Sequence, residues 1–507
     1  MYQGNYLAEN LRASSVGRDD AVFASTQEGR ILSYGEFFKG AETYASALIS
    51  KGLEPGDRVA AQVDKSIEVL QLYVGTIIAG GVFLPLNTGY TPAEIEYFLS
   101  DATPRIFVCS SKNKEALKPV ADTCSVASLE TMDGDGSGSL PELAATQMAG
   151  VKAVARSKDD LAAILYTSGT TGRSKGAMLS HDNLWSNAAT LRDYWKFTSN
   201  DRLIHALPIF HTHGLFVATN VTFAAGSSVD FMAKFDADVV LDAMRKATVL
   251  MGVPTFYVRL LRHEKLDKEH TKNMRLFVSG SAPLLAETHD QWQENTGHAI
   301  LERYGMTETN MNTSNPYDGE RRAGTVGFPL PGVEVRIMEG EQELAKGEIG
   351  SIEVRGPNVF KGYWKMPEKT KEELLESGFL ITGDLGMIDD QGYVSIIGRS
   401  KDLIISGGYN VYPKEIELMI DDVGGVSESA VIGLPHPDFG EGVCAVIVKS
   451  ADSDLTDVSV MEAITSDLAK YKQPKKIYFV KELPRNAMGK VQKKSLREEY
   501  GATFKAT

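Results

Sequence analysis

Cysteine is scarce: the 507 residues hold three, Cys109, Cys124 and Cys444. Their spacing fits neither a zinc site nor a disulfide framework, so a reducing cytoplasm is the expected home. A surplus of base is missing too, with 53 Lys and Arg against 67 Asp and Glu and a net charge of −14. Nothing in that balance neutralises a phosphate backbone, which argues against nucleic acid as the main partner. Long apolar runs are absent. The most hydrophobic stretch, 73–86, is short and carries Gly75, Gly80 and Gly81, so no membrane partner is expected. The opening MYQGNYLAENLRASSVGRDD has no apolar core behind a basic start and is not Arg-rich, so it reads as neither secretory signal nor transit peptide.

What is present is globular: 43% of residues are hydrophobic and 24% charged. A chain this long exceeds one compact core, so two or more domains are expected. Residues 34–51 place Phe37, Phe38, Ala41, Tyr44, Ala45 and Leu48 at helical spacing. A turn at 52–56 leads to a buried strand over 58–63, a helix over 66–78 and an apolar strand over 82–86. A helix capped by Thr91 follows over 92–100, then a strand over 105–109. Further strands are expected at 203–207, 228–231, 248–253 and 274–279. This alternation predicts parallel sheets covered by helices. The stretch 125–157 is rich in Gly, Ser and Ala with weak periodicity and reads as a surface excursion. Beyond about residue 350 short strands (SIEVRG, GYVSIIGR) take over, and the last hundred or so residues read as a separate lid-sized module.

The most informative segment begins at Leu161. An apolar strand, 161–166, runs into Thr167-Ser168-Gly169-Thr170-Thr171-Gly172 and reaches Lys175. Glycines let backbone N–H groups turn inward on an anion, hydroxyls donate further hydrogen bonds, and the lysine adds charge, which together make a polyphosphate cradle. It is not the kinase-type loop, since Ser174 stands five positions after Gly169, where that pattern has glycine before its lysine.

Tyr166 to Gly176 resembles the signature of the adenylate-forming enzymes, which include acyl-CoA synthetases, peptide-synthetase adenylation domains and firefly-type luciferases. Four more segments match in order: Glu302-Arg303-Tyr304-Gly305-Met306-Thr307-Glu308; Thr382-Gly383-Asp384-Leu385; Gly398 to Asp402 with Ser406 to Asn410; and Pro484 to Lys490. One departure is Ser174, where relatives usually have proline, a change that bears on loop stiffness. The resemblance implies a large α/β domain over 1–400, with parallel-sheet αβα layers and a small β-barrel-like subdomain, followed by a small mobile α+β domain over 401–507. It implies ATP and coenzyme A as substrates and Mg²⁺ as cofactor.

By the same resemblance, Thr167 to Lys175 hold the β- and γ-phosphates, Thr307 the α-phosphate and Glu308 the Mg²⁺. Asp384 grips the ribose with help from Arg399. Ser281, Ala282, Pro283 and Glu302 to Gly305 border the adenine and the acyl phosphate. Lys490 bridges carboxylate and α-phosphate during adenylation. Lys401 matches the hinge residue, and Ser406, Gly407, Gly408 and Tyr409 the tunnel for the pantetheine thiol.

Which acid is activated rests on fewer residues. The family's acid pocket matches Phe210 to Leu215, Ser279 to Pro283 and Arg303. A fatty-acid pocket would be apolar, whereas this one offers His211, His213 and Arg303. Arginine there suits a second carboxylate, gripped bidentately. Phe210-His211-Thr212-His213-Gly214 with Glu302 to Thr309 resembles malonyl-CoA synthetases, which take malonate and often methylmalonate. In that reading Arg303, Ser281 and His211 bind the distal carboxylate, with Arg259 a weaker candidate. The alternatives are a short- or medium-chain acyl- or aryl-CoA synthetase and a stand-alone domain that loads a carrier protein. Oligomeric state is not legible.

Overall fold

A computed structural model describes residues 2–167, 174–407, 409–451, 453–465, 468–486 and 489–504. By packing, the chain divides into two compact units, Met1–Val335 with Val354–Leu380, and Arg336–Glu353 with Ile381–Thr507.

In the first unit the helical spacing after Ser33 gives helix Tyr34–Ser50. Ser33 and Glu36 close its N-terminus in a capping box, and its apolar face (Phe37, Phe38, Ala41, Tyr44, Ala45, Leu48) is buried. It packs on helix Ile67–Ile78 at close range. A Cβ on Gly75 would lie 2.7 Å from the Ala41 carbonyl oxygen, so only glycine lets the two backbones approach.

Two sheets carry the unit. Six strands run in the order Ser128–Thr131, Ile106–Cys109, Arg58–Gln62, Val82–Pro85, Leu161–Thr167 and Lys175–Ser180. All pair parallel except the last, which folds back antiparallel on Leu161–Thr167. The second sheet has nine strands. Its parallel centre orders Leu301–Met306, Leu276–Ser279, Val249–Gly252, Arg202–His205, Ser228–Phe231 and Val22–Thr26. The strands expected at 203–207, 228–231, 248–253 and 274–279 thus lie side by side within it. Helices cover these sheets, because strands buried on both faces need apolar cover.

One expectation fails. The 125–157 stretch is not simply a surface excursion: it supplies the edge strand Ser128–Thr131, parallel to Ile106–Cys109, and helix Ser139–Ala145. Apolar periodicity missed the strand because it buries a charge. The Glu130 carboxylate accepts from Ser128 Oγ (2.8 Å) and Ser139 Oγ (2.5 Å) and pairs with Lys51 Nζ at 2.7 Å. These donors hold it below the usual carboxylate range although burial works the other way.

The second unit takes all but the first residue of the hairpin Leu380–Ile388 with Val394–Arg399, then a 3₁₀ turn Ser400–Asp402. A mixed sheet follows, in which the long hairpin Val426–His436 with Gly440–Lys449 pairs parallel with Lys476–Val480 and antiparallel with Ile404–Ser406. Helices Pro413–Asp421 and Asp457–Thr465 close one core, built on Ile416, Ile420, Val431, Ala445, Val460 and Ile464. Among the described residues, no helix is long and apolar enough to cross a membrane.

Candidate active site

The phosphate-loop strand ends at Thr167, directly opposite Lys175 across the hairpin. Ser168, Gly169, Thr170, Thr171 and Gly172 lie outside the described residues. Both flanks of the loop are fastened to one helix, Pro92–Ala102. Tyr166 donates its hydroxyl to Asp101 Oδ2 at 2.5 Å, and Tyr97 donates to the Ser174 carbonyl at 2.7 Å. Serine lacks the fixed φ that proline would bring at 174, and the Tyr97 bond supplies an external anchor instead. Tyr97→Phe is therefore expected to cost ~1 kcal/mol of stability and to raise the ATP KM about fivefold, a similar energy, with the KM of the acid unchanged. Initial-rate kinetics with each substrate varied in turn checks this.

Lys175 is nearly buried, and its ammonium meets both oxygens of Glu373, at 3.0 and 3.1 Å. It also lies 4.1 Å from the ring centroid of Tyr363. The Tyr363 hydroxyl stands between two carboxylates, 3.0 Å from Glu308 Oε1 and 2.6 Å from Glu373 Oε2. Burial and these two anions push the phenol well above its ordinary range. Burial alone would raise the Glu373 carboxyl, but Tyr363, Lys369 and Lys175 together hold it below its ordinary value. Tyr363 and Glu373 were not singled out in the sequence. The Gly362-Tyr363-Trp364 cluster of aromatics beside a glycine was the available signal for the first, and a glutamate in a charged run offered none for the second.

Glu308 is buried and Thr307 half-buried in the turn between strands Leu301–Met306 and Asn310–Ser314. Gly305 is obligatory there, since a Cβ would fall 1.8 Å from the Asn310 carbonyl oxygen. A single buried carboxylate suits Mg²⁺ that arrives with phosphate oxygens and water as its remaining ligands. Among the described residues no cluster of three His, Cys, Asp or Glu side chains forms an all-protein cage.

Arg303 is the most unusual group. It sits on strand Leu301–Met306, only 3% exposed, and its Nε and Nη2 have no hydrogen-bond partner. A Cβ at Gly280 would lie 2.4 Å from its Cζ, so the absent side chain at 280 makes room for the guanidinium. Burial pulls Arg303 down to about 9, which leaves it a cation at neutral pH. His213 is held well below its ordinary value by burial first and then by the Arg303 charge, so it is neutral. Its Nδ1 is 3.3 Å from Ser281 Oγ, and Ser281 sits at φ +71° in the turn after strand Leu276–Ser279. The strand thus brings Arg303 to the same place as His213 and Ser281.

His213 opens a π-helical turn, His213–Ala218, pinned from below. Lys65 Nζ lies 3.0 Å from His205 Nδ1, and His205 Nε2 lies 3.0 Å from the Gly214 carbonyl. A donor at Nδ1 assigns the ring proton to Nε2, which then donates to Gly214. No sequence signal marked Lys65 or His205, and Gly280 was legible only as part of the segment Ser279 to Pro283. His211 is partly buried, Glu302 is buried, and Tyr304 and Ala282 are half-buried. Pro283 is exposed, as is Arg259 in the last turn of helix Pro254–Leu261.

In the second unit Asp384 and Arg399 face each other across a hairpin, Oδ1 to Nε 2.7 Å, with the carboxylate buried. Lys401 lies in the 3₁₀ turn Ser400–Asp402, and burial lowers its ammonium below the ordinary range. Ser406 and Tyr409 form a hairpin end with Gly407, which takes φ +60° and donates its N–H to the Phe439 carbonyl at 2.8 Å. Gly408 lies outside the described residues. Tyr409 is exposed on one face and stacks on Tyr471 with the other, centroids 4.7 Å apart. Lys490 ends a turn closed in both directions. Its N–H donates to Asn486 Oδ1 and its carbonyl accepts from the Asn486 N–H, each at 2.9 Å, while Gly489 takes φ +76°.

The profile of the AMP-binding enzymes matches residues 11–364, and that of the AMP-binding enzyme C-terminal domain matches 415–490. A malonate–CoA ligase of Arabidopsis thaliana is 37% identical, over 98% of this chain and 91% of its own length. A long-chain-fatty-acid–CoA ligase of Bacillus subtilis strain 168 is 32% identical over 98% and 95%. The crystal structure of ATP-bound MatB from Rhodopseudomonas palustris superposes with a TM-score of 0.97, at 57% identity and over 99% of this chain and all of that one. The order of motifs, the two helix-covered sheets and the matched length agree on one conclusion: the chain belongs to the AMP-binding enzyme family.

Proposed function

We propose that this protein is an AMP-forming malonate–CoA ligase that also accepts methylmalonate. The observation that carries the choice of acid is Arg303, a buried guanidinium with two nitrogens unpartnered beside a neutral His213 and Ser281. A monocarboxylate would leave that cation desolvated and unpaired, whereas the distal carboxylate of malonate satisfies it bidentately. The names and identities of the relatives support the same reaction, since malonate–CoA ligation is what the Arabidopsis protein is named for.

A carboxylate is a poor electrophile, and its conversion to an acyl-adenylate supplies the leaving group. The malonate oxygen attacks the α-phosphorus of ATP, and pyrophosphate leaves. The CoA thiol then attacks the carbonyl carbon, a thioester forms, and AMP leaves. The chain's own groups position and neutralise. In this reading Lys175 and the loop Thr167 to Gly172 hold the β- and γ-phosphates, Thr307 the α-phosphate, and Asp384 with Arg399 the ribose. Glu302 to Gly305 and Ser281 to Pro283 border the adenine, and His211 helps orient the acid. Mg²⁺ borne by ATP would be held by Glu308 and offsets polyphosphate charge. Lys490 serves the first step, and Ser406 to Tyr409 the thiol channel of the second. A domain 1–400 and a lid 401–507, hinged at Lys401, would let one site run both steps. The unpaired thiols of Cys109, Cys124 and Cys444 support a cytoplasmic setting.

AMP release that depends on ATP and CoA, measured with malonate, methylmalonate, acetate, butyrate, octanoate and 4-coumarate, tests the reading. Malonate is expected to give the highest kcat/KM, with methylmalonate next. Preference for a monocarboxylate would overturn the choice of acid and return Arg303 to a structural role.

A further inference from the structure

We propose that Glu373 is an internal stand-in for the ATP polyphosphate: it occupies Lys175 until nucleotide displaces it. The inference rests on the ligase reading above and adds a residue to its nucleotide site. An ammonium has three N–H groups. Both Glu373 oxygens lie within hydrogen-bond distance of Lys175 Nζ, at 3.0 and 3.1 Å, and the Tyr363 ring covers another side of it at 4.1 Å. A phosphate that is to bind Lys175 must take positions the carboxylate now fills, and two anions cannot share them without repulsion.

The helix end by itself disfavours a carboxylate there. Glu373 is the last residue of the short helix Pro367–Glu373, and its carboxylate lies at the end where backbone carbonyls already concentrate negative charge. It is drawn in by what surrounds it: Lys175, Lys369 Nζ at 3.0 Å and the Tyr363 hydroxyl at 2.6 Å. The hydroxyl carries one proton for two carboxylates, Glu308 and Glu373, so it fully satisfies only one of them. Release of Glu373 from Lys175 therefore frees Tyr363 to donate to Glu308, the carboxylate assigned to the nucleotide's Mg²⁺. Nucleotide entry becomes an exchange of anions on one lysine. Before ATP arrives, the exchange keeps the buried ammonium paired; after the first step, it helps expel pyrophosphate.

Glu373→Gln removes the charge and keeps an acceptor for Tyr363. Binding of Mg·ATP is measured by calorimetry without acid or CoA, so that no turnover occurs. The variant is expected to bind about fivefold more tightly, the scale of a partly exposed ion pair. Product inhibition by pyrophosphate should tighten by the same factor, with ATP KM and kcat both lowered. In a Lys175→Ala background the Glu373→Gln change should leave ATP affinity unmoved. Weaker ATP binding by Glu373→Gln would overturn the inference and make Glu373 a residue that orients Lys175 for nucleotide. Tighter binding that persists without Lys175 would overturn it equally. Should the amide disturb folding, as a thermal scan would reveal, Glu373→Ala carries the same sign. Failure of the wild type to bind ATP would instead refute the ligase reading.

Discussion

Arg303→Leu is expected to lower kcat/KM for malonate by ~10²–10⁴-fold, the equivalent of about 3–5 kcal/mol for the loss of one partner of a buried charge pair. The loss should fall on malonate and methylmalonate and spare the ATP KM, because the proposal gives the Arg303 side chain to the acid and leaves only its backbone, with Glu302, Tyr304 and Gly305, beside the adenine. Stability should move the other way. Arg303 is buried with Nε and Nη2 unpartnered, so leucine removes a desolvated cation and fills part of its space with carbon. A melting temperature equal to or above that of the wild type, together with lost malonate turnover, would mark a site that trades stability for recognition. Saturating malonate should raise the wild-type melting point and leave the variant's unchanged. A variant that keeps malonate turnover within tenfold and melts lower would show that Arg303 is structural.

Lys490→Ala is expected to reduce the adenylation half-reaction by ~10²–10³-fold, the usual loss when one preorganised donor to a developing charge is removed. Pyrophosphate–ATP exchange reads that step alone. Thioester formation from chemically prepared malonyl-adenylate and CoA should continue at a rate close to the wild type, since Lys490 is assigned to the first step only. The two ends of the segment that presents it are bonded to each other: Asn486 bonds both the N–H and the carbonyl of Lys490, and Arg485 Nη1 donates to the Gly489 carbonyl at 2.5 Å. Equal loss in both half-reactions would remove the assignment and indicate a role in the fold of the second unit.

Much of this was legible in the chain. Strand-to-loop transition at Thr167, the run Glu302 to Glu308 and the turn before Lys490 are local patterns, and local patterns survive in sequence because backbone geometry demands particular residues in a row. The helices and strands of the first unit were legible for a related reason, since apolar spacing reports which face is buried. Ser128–Thr131 escaped because Glu130 buries a carboxylate whose partners, Lys51 and Ser139, come from other elements.

Motif order identified the family, apolar periodicity gave the α/β architecture, and the motifs marked the positions proposed to face nucleotide and acid. The tertiary structure alone decided how those positions are electrically set. Glu373 meets Lys175 across 198 residues, and Gly280 clears the space that Arg303 fills. No periodicity encodes such pairings. They arise when the packing of distant elements sets which charges lose water and which find a partner.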